Sequence, residues 1–267
     1  MALPQAARVV ITGASRGFGR ALALELAGRG AHLLLADIDL AGCASTAEMA
    51  LAAGAASARA MRCDVTRIEE VEALAKACGD DRVDLLVNNA GVASAGRIGE
   101  LALCDWSWTV NVDLWGAIHG CHVFVPLLRR QGHGHVLNVA SAAGLLSPPH
   151  TAAYNVAKAG VVALSETLAA ELAGSGVGVT VLCPTYFRTG IAAGGRYTDA
   201  RTRAAANRLV DGGLPSDVVA RRAIAAVERG VLVAVPMADG RWAWRIKRLV
   251  PQRAASLLAR WGEWVLA

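Results

Sequence analysis

Tyr154 and Lys158 stand four residues apart in an apolar run, Thr151 to Leu172, whose composition predicts a helix. Residues at that spacing share a helix face, one turn apart, so a phenol and an ammonium come side by side. A phenol titrates near pH ~10 in water and is almost wholly protonated at neutral pH. A nearby cation favours the phenolate and lowers that value. The pair is therefore suited to giving or taking a proton near neutral pH. The spacing alone carries little weight, because Tyr and Lys four apart on a solvated helix face are common. The surrounding elements decide its meaning.

Arg8 to Thr12 is a short apolar strand, followed by the loop Gly13-Ala14-Ser15-Arg16-Gly17-Phe18-Gly19 and a helix from Arg20 to Gly30. Strand, glycine loop and helix form a phosphate-binding layout, since glycines let the backbone approach an anion and a helix N-terminus favours negative charge. The spacing is GxxxGxG rather than the GxGxxG of the standard dinucleotide fingerprint. His32 to Ala36 is the second strand and ends at Asp37. An acid there bonds a ribose 2′-hydroxyl and repels a 2′-phosphate, with Asp39 adding to the repulsion; the competing reading is an N-cap for a helix over Ala41 to Ala53. Strands at Ala58 to Cys63, Val83 to Val87, His135 to Val139, Val177 to Cys183 and Val231 to Val235 alternate with helices at Arg67 to Cys78, Asp105 to Arg130, Thr151 to Ala173 and Asp217 to Arg229, the last capped by Ser216. Such alternation predicts a parallel sheet with right-handed crossovers, and ligands then bind outside the carboxyl ends of the strands. The glycine loop, Asp37, Asp64 and Asn88 all fall at those ends. Trp108, Val112, Trp115 and His119 form a helical stripe, read as core or subunit contact, with His119 simply packed or solvated. Asn111 is a poor helix former in that run, which hints at a side-chain role. Arg188 to Gly213 is polar, glycine-bearing and irregular, long enough for a lid.

The chain has 267 residues, 54% apolar and 18% charged, enough for one large core and against disorder. No apolar run is long enough to span a bilayer, and Met1 to Ala7 lacks the regions of a signal peptide. The six cysteines, at 43, 63, 78, 104, 121 and 183, show no metal-ligand spacing; free thiols in a reducing cytoplasm are expected, and no metal. The net charge of +5 is concentrated from Arg241 onward, where six basic residues face one acid. The neutral body gives no footprint for nucleic acid.

These residues resemble the short-chain dehydrogenase/reductase family. Thr12-Gly13-Ala14-Ser15-Arg16-Gly17-Phe18-Gly19 matches its TGxxxGxG loop, Asn88-Asn89-Ala90-Gly91 its NNAG motif, and Asn111, Ser141, Tyr154 and Lys158 its catalytic tetrad in order and spacing. The resemblance covers about residues 8 to 236. It implies an α/β Rossmann-type doubly wound parallel sheet of about seven strands with helices on both faces, a nicotinamide cofactor, and a homodimer or homotetramer. Tyr154 would be the acid/base and Lys158 would tune it and bond the nicotinamide ribose. Ser141 would hold the substrate oxygen, and Asn111 would anchor a water relay to Lys158. The cofactor would lie along Gly13, Ser15, Arg16, Gly17, Phe18, Gly19, Asp37, Asn89, Ala90, Gly91 and Pro184, with Asp64 and Val65 bounding the adenine and Thr189 bonding the carboxamide. NAD is preferred on account of Asp37, with NADP still possible because Arg16 pulls the other way. The expected activity is interconversion of a secondary alcohol and a ketone, on a small, apolar molecule; the alternative is a silent binding or scaffold relative, which would be expected to lose Tyr154 or Lys158. The family usually has Pro-Gly after the sixth strand, whereas here Pro184 is followed by Thr185, Tyr186 and Phe187, which puts substrate size in question.

Residues 1–238 are thus expected to form the catalytic domain and residues 239–267 a basic, amphipathic helical extension of it. Pro251 divides that extension and suits a helix start. Ala254, Leu257, Leu258, Trp261, Trp264 and Val265 recur at helical spacing beyond it, away from Arg253, Arg260 and Glu263; Trp242, Ile246 and Leu249 form a stripe before it, beside Arg245, Lys247 and Arg248. Two readings stay open: an interfacial helix on anionic lipid, or a helix packed on its own body or a neighbouring subunit. The packed reading is preferred, because apolar faces are most often satisfied by protein.

Overall fold

A computed structural model describes residues 3–79 and 82–266; in the last helix the side chains of residue 261 and of residues 263–266 lie outside that description. The expected contributions of Trp261, Glu263, Trp264 and Val265 therefore fall outside the described side chains.

The strands are Arg8–Thr12 (β1), His32–Asp37 (β2), Ser57–Arg62 (β3), Leu85–Asn88 (β4), Ser94–Ala95 (β5), Gly134–Val139 (β6), Val177–Leu182 (β7), Arg196–Tyr197 (β8) and Val233–Ala234 (β9). The helices are Gly17–Ala27 (α1), Leu40–Ala52 (α2), Ile68–Lys76 (α3), Leu103–Val110 (α4), Gly116–Gln131 (α5), Ala142–Leu146 (α6), Ala152–Glu171 (α7), Ala200–Asp211 (α8), Ser216–Glu228 (α9), Ala238–Leu249 (α10) and Pro251–Leu266 (α11). Seven strands form one parallel sheet in the order β3-β2-β1-β4-β6-β7-β9, and β5 pairs with β8 in a small second ladder.

The sheet is covered on both faces, which is why its strands read as continuous apolar runs rather than as alternating patterns. Successive strand residues point to opposite faces. Val9 and Ile11 of β1 and Leu33 and Leu35 of β2 join Leu22 and Leu26 of α1 and Ile224 of α9 in one core layer. Val10 and Leu34 point the other way, to Leu74 of α3, Phe124 and Leu128 of α5 and Leu168 of α7. The strand order reverses at β1, which has β2 on one side and β4 on the other. That reversal opens a crevice at the carboxyl ends of β1 and β4, the usual ligand position of such sheets.

Several local expectations are corrected. The first helix begins at Gly17, inside the glycine loop, rather than at Arg20. The long helix predicted over Asp105 to Arg130 is α4 and α5 joined by a π-helical turn at Asn111–Trp115. Its wider winding spreads the predicted stripe: Trp115 is 48% exposed, which leaves subunit contact rather than core for it, whereas Trp108 faces the cleft under the Arg196 guanidinium, 4.1 Å from its ring. Arg188 to Gly213 is not irregular throughout, because it holds β8 and the three-turn helix α8, capped by Asp199 accepting from the Thr202 N–H at 2.8 Å. Ser216 does not cap α9, whose N-cap is Pro215; its hydroxyl donates instead to the Arg188 carbonyl. The α2 helix is capped by Asp39, which accepts from the Gly42 N–H at 3.0 Å, so Asp37 is left for another task. The two helices of the C-terminal extension meet at Pro251, as the sequence predicts. All six cysteines are free thiols. Among the described residues no helix is long and apolar enough to cross a membrane and no group of side chains could hold a metal ion.

Candidate active site

A cleft of about 1070 Å³ runs along the carboxyl edge of the sheet, from the glycine loop at one end to the C-terminal extension at the other. At the first end β1 feeds into Gly13, whose φ of 67° is a left-handed conformation and where a Cβ would lie 2.7 Å from the Ala90 Cα. A Cβ at Gly19 would lie 2.1 Å from the Gly13 carbonyl oxygen. Only glycine fits at either position. The Asn89-Ala90 segment holds this cradle shut: Asn89 Nδ2 donates to the carbonyls of Thr12 at 2.8 Å and Gly13 at 3.0 Å, while Thr12 Oγ1 accepts from the N–H groups of Asn89 and Ala90 at 3.0 and 3.1 Å. Asn88 turns inward instead and donates to Asn138 Oδ1 at 2.8 Å.

Around the cradle, Asp37 accepts from the Ser15 N–H at 3.1 Å and the Asp39 N–H at 3.0 Å, which fixes its carboxylate at the cleft wall. Arg20, a partly buried cation, is engaged: Nε donates to Thr46 Oγ1 at 2.9 Å and Nη2 to the Ser15 carbonyl. Arg16 is exposed and lies under the chain near Gly190 and Gly194. Asp64 is held in a tight turn, its Oδ1 accepting from Thr66 N–H and hydroxyl at 2.9 and 2.7 Å. Beside it the Val65 carbonyl accepts from His119 Nδ1 at 2.8 Å, so that histidine is a packed side chain, as expected, but one that steadies a cleft wall. Gly17, Gly91, Pro184 and Thr189 line the same cleft. Phe18 is buried and meets Phe187 edge to face, with ring centroids 5.0 Å apart, so Phe187 braces the loop while lining the cleft.

In the middle of the cleft, Ser141 leaves β6 as the N-cap of α6, its Oγ accepting from the Ala143 N–H at 3.1 Å. The Ser141 hydroxyl faces the Tyr154 phenol and favours its ionised form. Tyr154 and Lys158 lie one turn apart on α7, with Lys158 Nζ 5.6 Å from the Tyr154 ring centroid. Lys158 is 3% exposed and donates to the Val139 carbonyl at 3.1 Å. The fourth expected member is not there. Asn111 is exposed at the start of the π-helical turn, and the side chain beside Lys158 is Asp113. Its Oδ2 lies 3.3 Å from Lys158 Nζ, and its Oδ1 accepts from the Val92 N–H at 2.7 Å. The sequence did carry a signal for Asp113: an acid inside an apolar helix is buried almost only when paired.

The electrostatics also depart from expectation. Burial pushes the Tyr154 phenol above its ordinary value; Lys158 opposes this, as the spacing predicts, while Asp113 adds to it. Burial works against the Lys158 ammonium, yet Asp113 and Tyr154 carry its pKa above the usual lysine value.

At the far end the departure after Pro184 acquires a structural partner. Thr185 Oγ1 donates to Asp239 Oδ1 of α10 at 3.3 Å, and Gly240 packs so closely that a Cβ there would lie 2.7 Å from Thr185 Cγ2. Lys247 Nζ donates to the Leu145 carbonyl at 2.8 Å, docking α10 on α6. Leu209 of α8, Leu258 and Gly262 of α11, and Leu146, Pro149 and Tyr186 give this end apolar walls. The extension thus packs on its own body, although Trp242, Ile246 and Leu249 of α10 and Leu257 of α11 remain exposed.

With this geometry in view, known proteins are informative. The family model for short chain dehydrogenases matches residues 7–199. The putative oxidoreductase SadH of Mycobacterium tuberculosis is 38% identical over 194 residues, covering 71% of this chain and 70% of that one. D-threitol dehydrogenase of Mycolicibacterium smegmatis is 35% identical over 182 residues, 67% of this chain and 70% of that one. Among solved structures, a short chain dehydrogenase/reductase from Burkholderia phymatum in complex with NAD superposes with a TM-score of 0.87 at 36% identity, covering 93% of this chain and 95% of that one.

Proposed function

The chain belongs to the short-chain dehydrogenase family, and from that premise we propose that it is an NAD-linked oxidoreductase interconverting a secondary alcohol and a ketone on an apolar substrate. The observation that carries this reading is the gathering of Tyr154, Ser141 and Lys158 on the wall of one cleft whose other end is a glycine cradle. The cradle fits a dinucleotide: its backbone is bare where Cβ atoms are excluded, and the α1 N-terminus opens onto it. Gly13, Ser15, Gly17 and Gly19 would hold the pyrophosphate, Asp37 the adenosine ribose, Asp64 and Val65 the adenine, and Asn89, Ala90, Gly91, Pro184 and Thr189 the nicotinamide half. The bound cofactor supplies or accepts the hydride. Tyr154 moves the proton at the substrate oxygen, Ser141 orients that oxygen through its hydroxyl, and Lys158 sets the charge around the phenol and reaches the ribose. The apolar walls from α8 and α11 support an apolar substrate. Exposed Trp115 and Val156 support a second subunit on the α5 and α7 side, as a homodimer or homotetramer.

Cofactor choice tests the reading. Asp37 presents its carboxylate to the cleft while Arg20 is engaged with Thr46 and the Arg16 side chain lies toward Gly190 and Gly194, so a 2′-phosphate would meet the negative charge of Asp37. A few kcal/mol of repulsion is worth tenfold per ~1.4 kcal/mol, and kcat/KM with NAD should exceed that with NADP by at least about tenfold. A preference for NADP in side-by-side initial rates would reject the assignment of Asp37.

A further inference from the structure

Asp113 is a carboxylate in the place where the sequence pattern led us to expect an asparagine's neutral amide. It is 2% exposed, carried by the π-helical turn between α4 and α5. One oxygen is held by the Val92 N–H and the other faces Lys158 Nζ at 3.3 Å, with no hydrogen-bond partner of its own among the described residues. Gly91 lies flat against the pair, since a Cβ there would be 3.3 Å from Lys158 Nζ and 3.5 Å from Asp113 Oδ1. Two opposite charges are thereby walled in one turn from Tyr154.

We propose that Asp113 is a positioning residue that holds Lys158 against the cleft floor and offsets its charge where Tyr154 would feel it, so that the site is set to hand a proton to a carbonyl rather than to take one from an alcohol. The proposal rests on the reading of Tyr154 as the acid/base. A lone buried ammonium beside a phenol favours the phenolate, the form that accepts a proton from an alcohol. An ammonium already paired with a carboxylate presents a near-neutral dipole, and the phenol keeps its proton. The remaining groups facing Tyr154 do not replace the lost pull. Ser141 offers a hydroxyl; Cys183, whose thiol burial pushes up to about 12, stays neutral; and Tyr186, likewise pushed up to about 12 by burial, is a neutral phenol. Burial pushes Asp113 itself above the usual carboxylate range, against the opposing pull of Lys158 and the Val92 N–H, so its charge depends on that pairing.

The test needs no substrate. The chain has three tyrosines, Tyr154, Tyr186 and Tyr197. Phenolate absorbance is followed in the cofactor-free protein from pH ~7 to ~11, each chain being compared with the same chain carrying Tyr154→Phe. The difference isolates one phenol. Asp113→Asn keeps an acceptor for Val92 and removes the charge; its Tyr154 midpoint is expected about one pH unit or more below wild type. An unchanged or higher midpoint overturns the proposal, and is the result a protonated Asp113 would give. Should Asp113→Asn fail to fold with Lys158 unpaired, wild type is compared with the Lys158→Met, Asp113→Asn double variant, which carries no charge at this pair. A near-neutral pair predicts a Tyr154 midpoint no more than about one pH unit above wild type once both charges are gone, which supports the proposal; a larger rise shows that an uncompensated ammonium was pulling on the phenol in the wild type and overturns it. Because the titration is independent of turnover, an active Tyr154→Phe enzyme would sink the catalytic reading while leaving this measurement legible.

Discussion

Tyr154→Phe is expected to lower turnover by roughly 10² to 10⁴, the usual worth of general acid–base catalysis, while NAD affinity stays close to wild type. The substitution removes one oxygen and keeps the ring, so α7 and the packing beside Lys158 are preserved. The phenol faces Ser141, and Ser141 retains its bond from the Ala143 N–H at 3.1 Å when the phenol is gone. Among the described residues at the middle of the cleft, Tyr186 is a second phenol, but burial pushes it up to about 12. Cys183 is held neutral and fully buried, and Lys158 is committed to Val139 and Asp113. Steady-state rates with a panel of secondary alcohols, alongside NAD titration by calorimetry, separate the two effects. Near-normal turnover would rule out Tyr154 as the proton carrier, whereas a parallel loss of NAD affinity would point to a structural defect.

The second large effect concerns the C-terminal extension. Ending the chain after Val250 is expected to raise the KM for the substrate by roughly 10- to 100-fold with NAD affinity little changed. Leu258 and Gly262 form part of the substrate end of the cleft, and Gly262 is pressed against Pro149. Ala254 is 6% exposed, so α11 is seated rather than hanging free. An apolar side chain buried against a ligand is worth about 1.5–3 kcal/mol, and ~1.4 kcal/mol is tenfold in affinity. The glycine cradle lies at the opposite end of the cleft. An unchanged KM would show that α11 is not a wall of the site. Sedimentation with phosphatidylserine vesicles at low salt addresses the competing lipid reading, which the exposed Trp242, Ile246 and Leu249 keep in view. Docking on the body predicts that the intact chain stays in the supernatant; pelleting of the intact chain together with an unaltered KM after truncation would favour lipid.

Most of the sheet was legible because strands such as β1, β4 and β7 are buried on both faces and so write themselves as apolar runs between turn signals. The ligand edge was legible for a related reason: short polar and glycine-rich stretches end those runs at Gly13, Asp37, Asp64 and Asn88. What failed were features that depend on winding or on competition between neighbours. A helical wheel drawn over Asp105 to Arg130 assumes 3.6 residues per turn, and the π-helical turn at Asn111–Trp115 violates it. Asn111, by contrast, was matched to the tetrad by residue type and order, and the folded backbone brings Asp113 to Lys158 instead. Asp37 and Asp39 are two residues apart, and either suits an N-cap. Only the folded backbone shows that Asp39 takes the cap and Asp37 the cleft. In Arg188 to Gly213 the polar, arginine-rich composition hid α8, although Asp199 followed three residues later by Thr202 is a cap signal that the sequence did contain.

The Thr185–Asp239 hydrogen bond joins the loop after β7 to a helix that follows every strand of the sheet. A ribosome delivers these parts in that order, and domains begin to fold as they emerge. The glycine cradle, Asp37 and the Asn89 clamp are complete on paper once β4 and its loop have been made, well over a hundred residues before α10. The walls of the substrate chamber come last. During synthesis, then, affinity for dinucleotide can develop on the nascent chain while selectivity for the other reactant still waits on translation, and any dinucleotide bound at that stage stabilises the sheet by mass action before the chamber closes.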